Sequence, residues 1–265
     1  MLASINMKLL LPIEIAKGYS SNSQKIRVAS EYWVKKSIFC PNCGASISDF
    51  ENNKPVADFY CNNCSEEYEL KSKNGNMGNK IVDGAYSSMI ERLTSNNNPN
   101  LFFLTYTKPT FQITNFFTIP KYFFVPDIIE ERTPLNLTAR RAGWVGCNIV
   151  MNNIPDFGKV FYIQNGIPIN KGDVLEKWSR TGFVKKTQDV EAKGWLLDVL
   201  LCVERIKKKE FTLKEVYRFE PFLKSKHPTN NNIQAKIRQQ LQFLRDKNVI
   251  DFLGRGKYAL KIINE

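Results

Sequence analysis

Over residues 22–38 apolar side chains recur every three or four positions. Ile26, Ala29, Trp33, Val34 and Ile38 share one face, and the spacing predicts a helix. Ser21 or Ser23 is its expected cap. Glu31 falls off the apolar stripe, leaving open both a solvent-facing position and an auxiliary role in a site. The period then changes to two. Over 66–73, Glu67, Glu69, Lys71 and Lys73 point to one face of a strand, Tyr68 and Leu70 to the other. Phe59 and Tyr60 read as part of a strand paired antiparallel to it. Residues 81–93 read as a helix carrying Ile81, Tyr86, Met89, Ile90 and Leu93, and 96–100 as a turn. The stretches 101–107 and 111–119 read as aromatic-rich strands joined at Lys108 and Pro109, with a further strand at 159–164. Residues 121–129 lead away from the sheet, and the charged stretch 171–191 is expected to be a linker. Helices alternating with strands predict a mixed α/β (α+β) fold with helices packed on a central sheet.

From residue 194 the pattern is helical again. Trp195, Leu196, Val199, Leu200, Val203 and Ile206 predict one amphipathic helix. Thr212 with Glu215 is a capping-box signature opening a second. A third is expected over 231–248, with Ile233, Ile237, Leu241 and Leu244 inward. VIDFLGRGKYAL then predicts a two-stranded hairpin turning at Gly254, Arg255 and Gly256. Three helices and a hairpin are the order of a winged helix-turn-helix, whose third helix reads the major groove. Outward positions of that helix include Asn232, Lys236, Arg238, Gln239 and Gln242; amides suit adenine edges and arginine suits guanine. Arg255 and Lys257 on the wing would reach the backbone or the minor groove. A winged helix used for protein contacts is the competing reading.

Charge sharpens this picture. The 265 residues carry a formal net charge of +12, and 15 Lys and Arg against 8 Asp and Glu place +7 of it in 194–265. An anionic partner is expected, nucleic acid before an acidic membrane surface; plain solubility explains the charge equally well. With 43% hydrophobic residues the chain can bury a core of one large domain or two ordinary ones. It has no apolar run long enough to cross a membrane, and its first twenty residues lack a secretory signal's basic leader and long apolar segment.

The densest chemistry lies in 40–73. Cys40-x2-Cys43-x17-Cys61-x2-Cys64 is four-thiolate metal spacing. Zinc suits it, an iron-centred site being the alternative; four protein ligands leave no open position, so the ion would be structural. Cysteines paired in this way fit a reducing compartment, so a cytoplasmic protein is expected. Asp58 stands eleven residues before Glu69, and an antiparallel pairing would bring both to the same end of a sheet. Two neighbouring carboxylates repel one another unless a divalent cation lies between them, and hard oxygen ligands suit magnesium, with manganese as a substitute. Lys71, on the same face as Glu69, is placed to hold or deprotonate a water and to offset charge on a phosphorane. A solvated strand edge is the plain alternative for these acids and lysines.

In LTARRAGWVGCNI (137–149) a probable loop holds Arg140, Arg141, two glycines and Trp144, a combination suited to phosphate, guanine and base contact. A core tryptophan with solvated arginines explains it as well. Cys147 reads as a buried thiol. The single histidine, His227, reads as a solvated loop residue beside Pro228, with phosphate contact as the alternative, and its solitude argues against any mechanism using a histidine base with histidine metal ligands.

SNSQK at Ser21, CPNC at Cys40, FENNKPVADFYCNNCSEEYELKSK, DGAY at Asp83, NNPN before FFLTYT, TARRAGWVGCNI, FTLKEVYRFE, KIRQQLQFLRDK and GRGKY span nearly the whole chain. On these segments the chain resembles the DpnI-like methyl-directed type II restriction endonucleases. The resemblance implies a PD-(D/E)XK catalytic domain with the zinc site over 1–190 and a winged-helix DNA-binding domain over 191–265. It implies a prokaryotic, magnesium-dependent deoxyribonuclease cutting double-stranded DNA at GATC when the adenine is N6-methylated, with both domains reading the site. Carried over, Asp58 and Glu69 are ligands of the catalytic metal, the Leu70 carbonyl completes its shell, Lys71 is the catalytic lysine, and Trp144 senses the methyl group. Pro55 stands three residues before Asp58, where the superfamily pattern has it adjacent; no chemistry requires it there. A monomer is expected. A zinc-ribbon and winged-helix regulator that does not cut, or a repair or recombination nuclease governed by DNA structure, are the other readings.

Overall fold

The computed structural model describes residues 7–50, 57–95, 97–187 and 189–261. In chain order the regular elements are α1 (Asn22–Ser37), β1 (Ile47–Asp49), β2 (Phe59–Cys61), β3 (Glu67–Asn74), β4 (Lys80–Ala85), α2 (Tyr86–Thr94), β5 (Asn100–Thr107), β6 (Gln112–Ile119), β7 (Ile129–Glu131), β8 (Gly146–Val150), β9 (Val160–Gln164), β10 (Ile167–Pro168), α3 (Lys171–Lys185), α4 (Val190–Arg205), β11 (Glu210–Thr212), α5 (Leu213–Tyr217), α6 (Glu220–Lys226), α7 (Ile233–Asp246), β12 (Ile250–Gly254) and β13 (Lys257–Leu260). They fall into two compact units. One comprises Met1–Asn79, Ser95–Lys121 and Gly158–Thr181; the other Lys80–Thr94, Tyr122–Phe157 and Gly182–Glu265.

The first unit is built on a seven-stranded mixed sheet in the order β1-β2-β3-β5-β6-β9-β10. Only β3 and β5 run parallel. Every side chain from Leu101 to Tyr106 is buried, as a central strand covered on both faces requires. Trp33 of α1, Phe102 of β5, Phe116 of β6, Tyr162 of β9 and Val174 and Trp178 of α3 share one core. Trp33 meets Phe116 edge-on at 5.4 Å, and its indole N–H donates to the Lys8 carbonyl at 2.7 Å. The polar atom of this large ring is thereby satisfied inside the core.

Several sequence expectations change here. Residues 171–185 form the helix α3 and not a linker, because Val174, Trp178, Thr181 and Val184 recur at helical spacing and are buried. The helix expected over 81–93 starts only at Tyr86. Before it, Ile81 and Asp83 alternate inward with exposed Lys80, Val82 and Gly84, a period of two, and β4 pairs with β8. The loop expected over 137–149 ends at Val145, where β8 begins. Ser21 sits at the start of α1 without capping it by its side chain; its hydroxyl pairs with that of Ser23 at 2.7 Å.

The second unit holds the sheet β4-β8-β7 and the C-terminal helices with the sheet β11-β13-β12. The inward residues expected of the third helix, Ile233, Ile237, Leu241 and Leu244, are all buried. The capping box forms in full: the Glu215 amide donates to the Thr212 hydroxyl, and the Glu215 carboxylate accepts from the Thr212 amide. Two details differ from expectation. The second helix is broken into α5 and α6 at Arg218 and Phe219, with Pro221 in the first turn of α6, where its missing N–H costs nothing. The hairpin is completed by β11 into a three-stranded sheet. Helix, strand, paired short helices, long helix and hairpin together make a winged helix-turn-helix. Among the described residues, no helix is long and apolar enough to cross a membrane.

Candidate functional site

The two CxxC segments fold as matching knuckles. The Cys40 amide donates to the Ala45 carbonyl at 2.8 Å, and the Gly44 amide returns to the Cys40 carbonyl at 2.8 Å. Twenty-one residues on, the Cys61 amide donates to Glu66 and the Ser65 amide returns to Cys61, both at 2.9 Å. Gly44 and Ser65, each four residues after the leading cysteine, both take positive φ (75° and 57°) to close the turn. The four sulfurs all lie within 4.8 Å of one another, Cys40 3.4 Å from Cys64 and Cys43 3.4 Å from Cys61. Burial pushes the Cys40 and Cys61 thiols up. At Cys43 burial acts the same way but is outweighed by hydrogen bonds from the Asn63 side chain and the Ala45 amide, which bring it down to about 6. Four sulfurs converging within 4.8 Å of one another fit a closed tetrahedral ion such as zinc.

The β2–β3 pair organises the acids. Its register sets Phe59 opposite Tyr68 and Tyr60 opposite Glu67, so Asp58 falls across from Glu69. The Asp58 amide donates to the Tyr68 carbonyl at 2.9 Å, and the Asp58 Oδ2 accepts from the Leu70 amide at 2.7 Å. This second bond turns the carboxylate onto the strand that carries Glu69 and Lys71. Lys71 Nζ lies 2.6 Å from Glu69 Oε1, both side chains partly exposed on one face of β3. Pro55 lies outside the described residues. Helix α1 contributes Glu31, whose carboxyl is pushed up by burial. Arg27, 2.6 Å away, opposes that shift, and the neighbouring Asp58 and Asp49 charges reinforce it. Glu31 is therefore partly buried and paired with Arg27, and not a plain solvent-facing residue. Its apolar spacing alone did not distinguish the two. Two carboxylates and a lysine on one strand pair can bind a divalent cation and a phosphate together.

The DNA-reading candidates lie in the second unit. Residues 136–142 form the tip of a loop closed by the Gly143 amide on the Leu135 carbonyl (3.0 Å) and the Leu135 amide on the Trp144 carbonyl (2.9 Å). Arg140 and Arg141 are exposed, Trp144 is half-buried, and the Arg141 guanidinium sits 4.7 Å over the Trp144 ring. The indole lies against Gly146, where a Cβ would meet it at 2.8 Å, so a side chain there would have to displace the ring. In α7, Arg238, Gln239 and Gln242 are exposed, and Arg238 donates to the Tyr217 hydroxyl at 2.7 Å. Asn232 is exposed at the start of α7. Lys236 is half-buried, with its ammonium 6.0 Å over the Trp195 ring. Arg255 and Lys257 are exposed on the wing.

His227 corrects its expectation. It is buried, not solvated: its Nε2 lies 2.9 Å from the Asp198 carboxylate, and its ring stacks on Trp195 at 3.8 Å. The partners are 29 and 32 positions away in sequence, which is why its local polar context misled. Cys147 is buried, as expected.

Two family models match. DpnI, the Dam-replacing family, covers residues 7–187, and DpnI_C, the Dam-replacing HTH domain, covers residues 191–260. The second match falls on the winged helix described above and makes it a DNA-binding domain. The first covers the cysteine cluster and the acids of β2 and β3, and its breadth decides the family. The chain belongs to the Dam-replacing family of restriction endonucleases.

Proposed function

We propose that the protein is a PD-(D/E)XK endonuclease that hydrolyses double-stranded DNA at GATC sites carrying N6-methyladenine. The observation that carries the chemistry is the bond from the Leu70 amide to Asp58, which aims Asp58 at the strand bearing Glu69 and Lys71. In this reading Asp58, Glu69 and the Leu70 carbonyl hold magnesium, or manganese in its place, and zinc fills the four-cysteine cluster as a structural ion. The bound magnesium supplies Lewis-acid charge at the scissile phosphate. Lys71 would orient the attacking water; to take its proton Lys71 must first be the neutral amine, having released its own proton to solvent, and as the resulting ammonium it offsets charge on the phosphorane, while Arg27 adds positive charge at the rim. The catalytic domain spans 1–190 and the winged-helix domain 191–265. The chain acts in the prokaryotic cytoplasm as a monomer.

For methyl reading, Trp144 offers an apolar surface flanked by Arg140 and Arg141, while Asn232, Lys236, Arg238, Gln239, Arg255 and Lys257 form the second reading surface. One buried methyl is worth only about 0.8 kcal/mol, a few-fold in affinity. Strong selectivity therefore calls for two modules reading methyls on both strands, or a penalty against the unmethylated site.

The test is one plasmid, prepared with and without adenine methylation at GATC, incubated with the protein and magnesium. A GATC ladder from the methylated plasmid alone is expected. Asp58→Ala should abolish cleavage while leaving methylated-DNA binding intact. Cutting of both plasmids would remove the methyl dependence. Binding without cutting by the unaltered protein would favour a zinc-ribbon regulator.

A further inference from the structure

We infer that Tyr68 is a positioning residue that couples the four-cysteine metal site to the carboxylates of Asp58 and Glu69. The inference rests on the nuclease reading of those carboxylates and adds a link between the two sites.

Tyr68 is fully buried, and its ring stacks on Phe102 at 4.3 Å with only 6° between the planes. Phenylalanine would fill that space as well; the hydroxyl is what needs explaining. A buried phenol requires a partner, and here it is the Cys40 sulfur, 3.1 Å away and itself fully buried. Sulfur of a neutral thiol is a weak acceptor, whereas a metal-bound thiolate is a charged one, so this hydrogen bond strengthens when the cluster holds its ion. The same residue reaches the acids through its backbone. Its carbonyl accepts from the Asp58 amide at 2.9 Å, and its successors Glu69 and Leu70 supply one carboxylate and the amide that holds Asp58. Strand alternation puts the phenol on one face of β3 and Glu69 and Lys71 on the other, so a pull on Cys40 is felt across the strand by the acids.

The full-length chain and Tyr68→Phe are compared in two ways, neither needing DNA. Zinc affinity is measured by competition with a chromophoric chelator, and manganese binding by electron paramagnetic resonance, with Asp58→Asn identifying the manganese that sits on the acids. Tyr68→Phe should weaken zinc by about ten- to a hundredfold, the range seen when an outer partner of a metal ligand is lost. Manganese binding should weaken in Tyr68→Phe and also in the unaltered chain stripped of zinc. Unchanged zinc affinity, or weakened zinc with manganese binding intact, overturns the coupling. An unaltered, zinc-loaded chain that binds no manganese sensitive to Asp58→Asn overturns the nuclease site itself, and the link falls with it.

Discussion

At the scale of single residues, one hydrogen bond carries the proposed site beyond a charged strand edge. Glu67, Glu69, Lys71 and Lys73 alternate on β3 as any solvated edge would. The Leu70 amide binding Asp58 at 2.7 Å draws an acid from the neighbouring strand to the middle of that row. Lys71 is the group expected to handle the proton of the attacking water. Lys71→Ala should therefore lower the cleavage rate of methylated plasmid by about a hundred- to ten-thousandfold, the usual worth of a positioned acid–base group, with DNA binding unchanged in a gel-shift assay. Trp144 is a specificity residue in the proposed scheme. Trp144→Ala should bring the cleavage rates of methylated and unmethylated plasmids closer together, read as the ratio of the two. The residue types of the proposed site were legible in the sequence. The burial of His227 was not, because it depends on where Asp198 and Trp195, about thirty positions away, arrive in the fold.

At the scale of elements, local rules succeeded where the signal is local. The Thr212 capping box forms as its spacing predicted, and it carries a pH signature. Hydrogen bonds from Lys208, then from the Thr212 amide and hydroxyl, lower the Glu215 carboxyl from an ordinary 4.5 to about 2. A depressed folded-state value means the stabilisation is fully present above about pH 4.5 and is lost as pH falls towards 2. Glu215→Gln should therefore flatten this part of the profile: melting temperatures followed by circular dichroism should differ most between variant and parent above pH 5, and converge near pH 2. Periodicity failed where two patterns met. Residues 81–93 hold a short strand run into a helix, and a window tuned to either period averages them. Residues 171–185 looked like a linker because charges dominate their count, yet four inward positions suffice to hold α3.

At the scale of the whole molecule, the central sheet and the metal knuckles support one another. Phe102 lies at the centre of the first unit's core, against Tyr68, Phe59, Phe116 and Tyr162. Phe102→Ala should cost about 3–5 kcal/mol of stability in denaturant unfolding, as deletion of a large core ring does. The sequence by itself determined the metal spacing, the acid and lysine types, most helices and the order of a winged helix, since these are written in near neighbours and in periods of two and 3.6. The antiparallel pairing of β2 with β3 was legible as well, but not that β3 pairs parallel with β5, that α3 closes the core, or that the strands around Trp144 group with the C-terminal helices and not with the central sheet. Those choices follow from which apolar faces cover one another, and burial is a property of the folded chain as a whole: no segment carries it until its partner is in place.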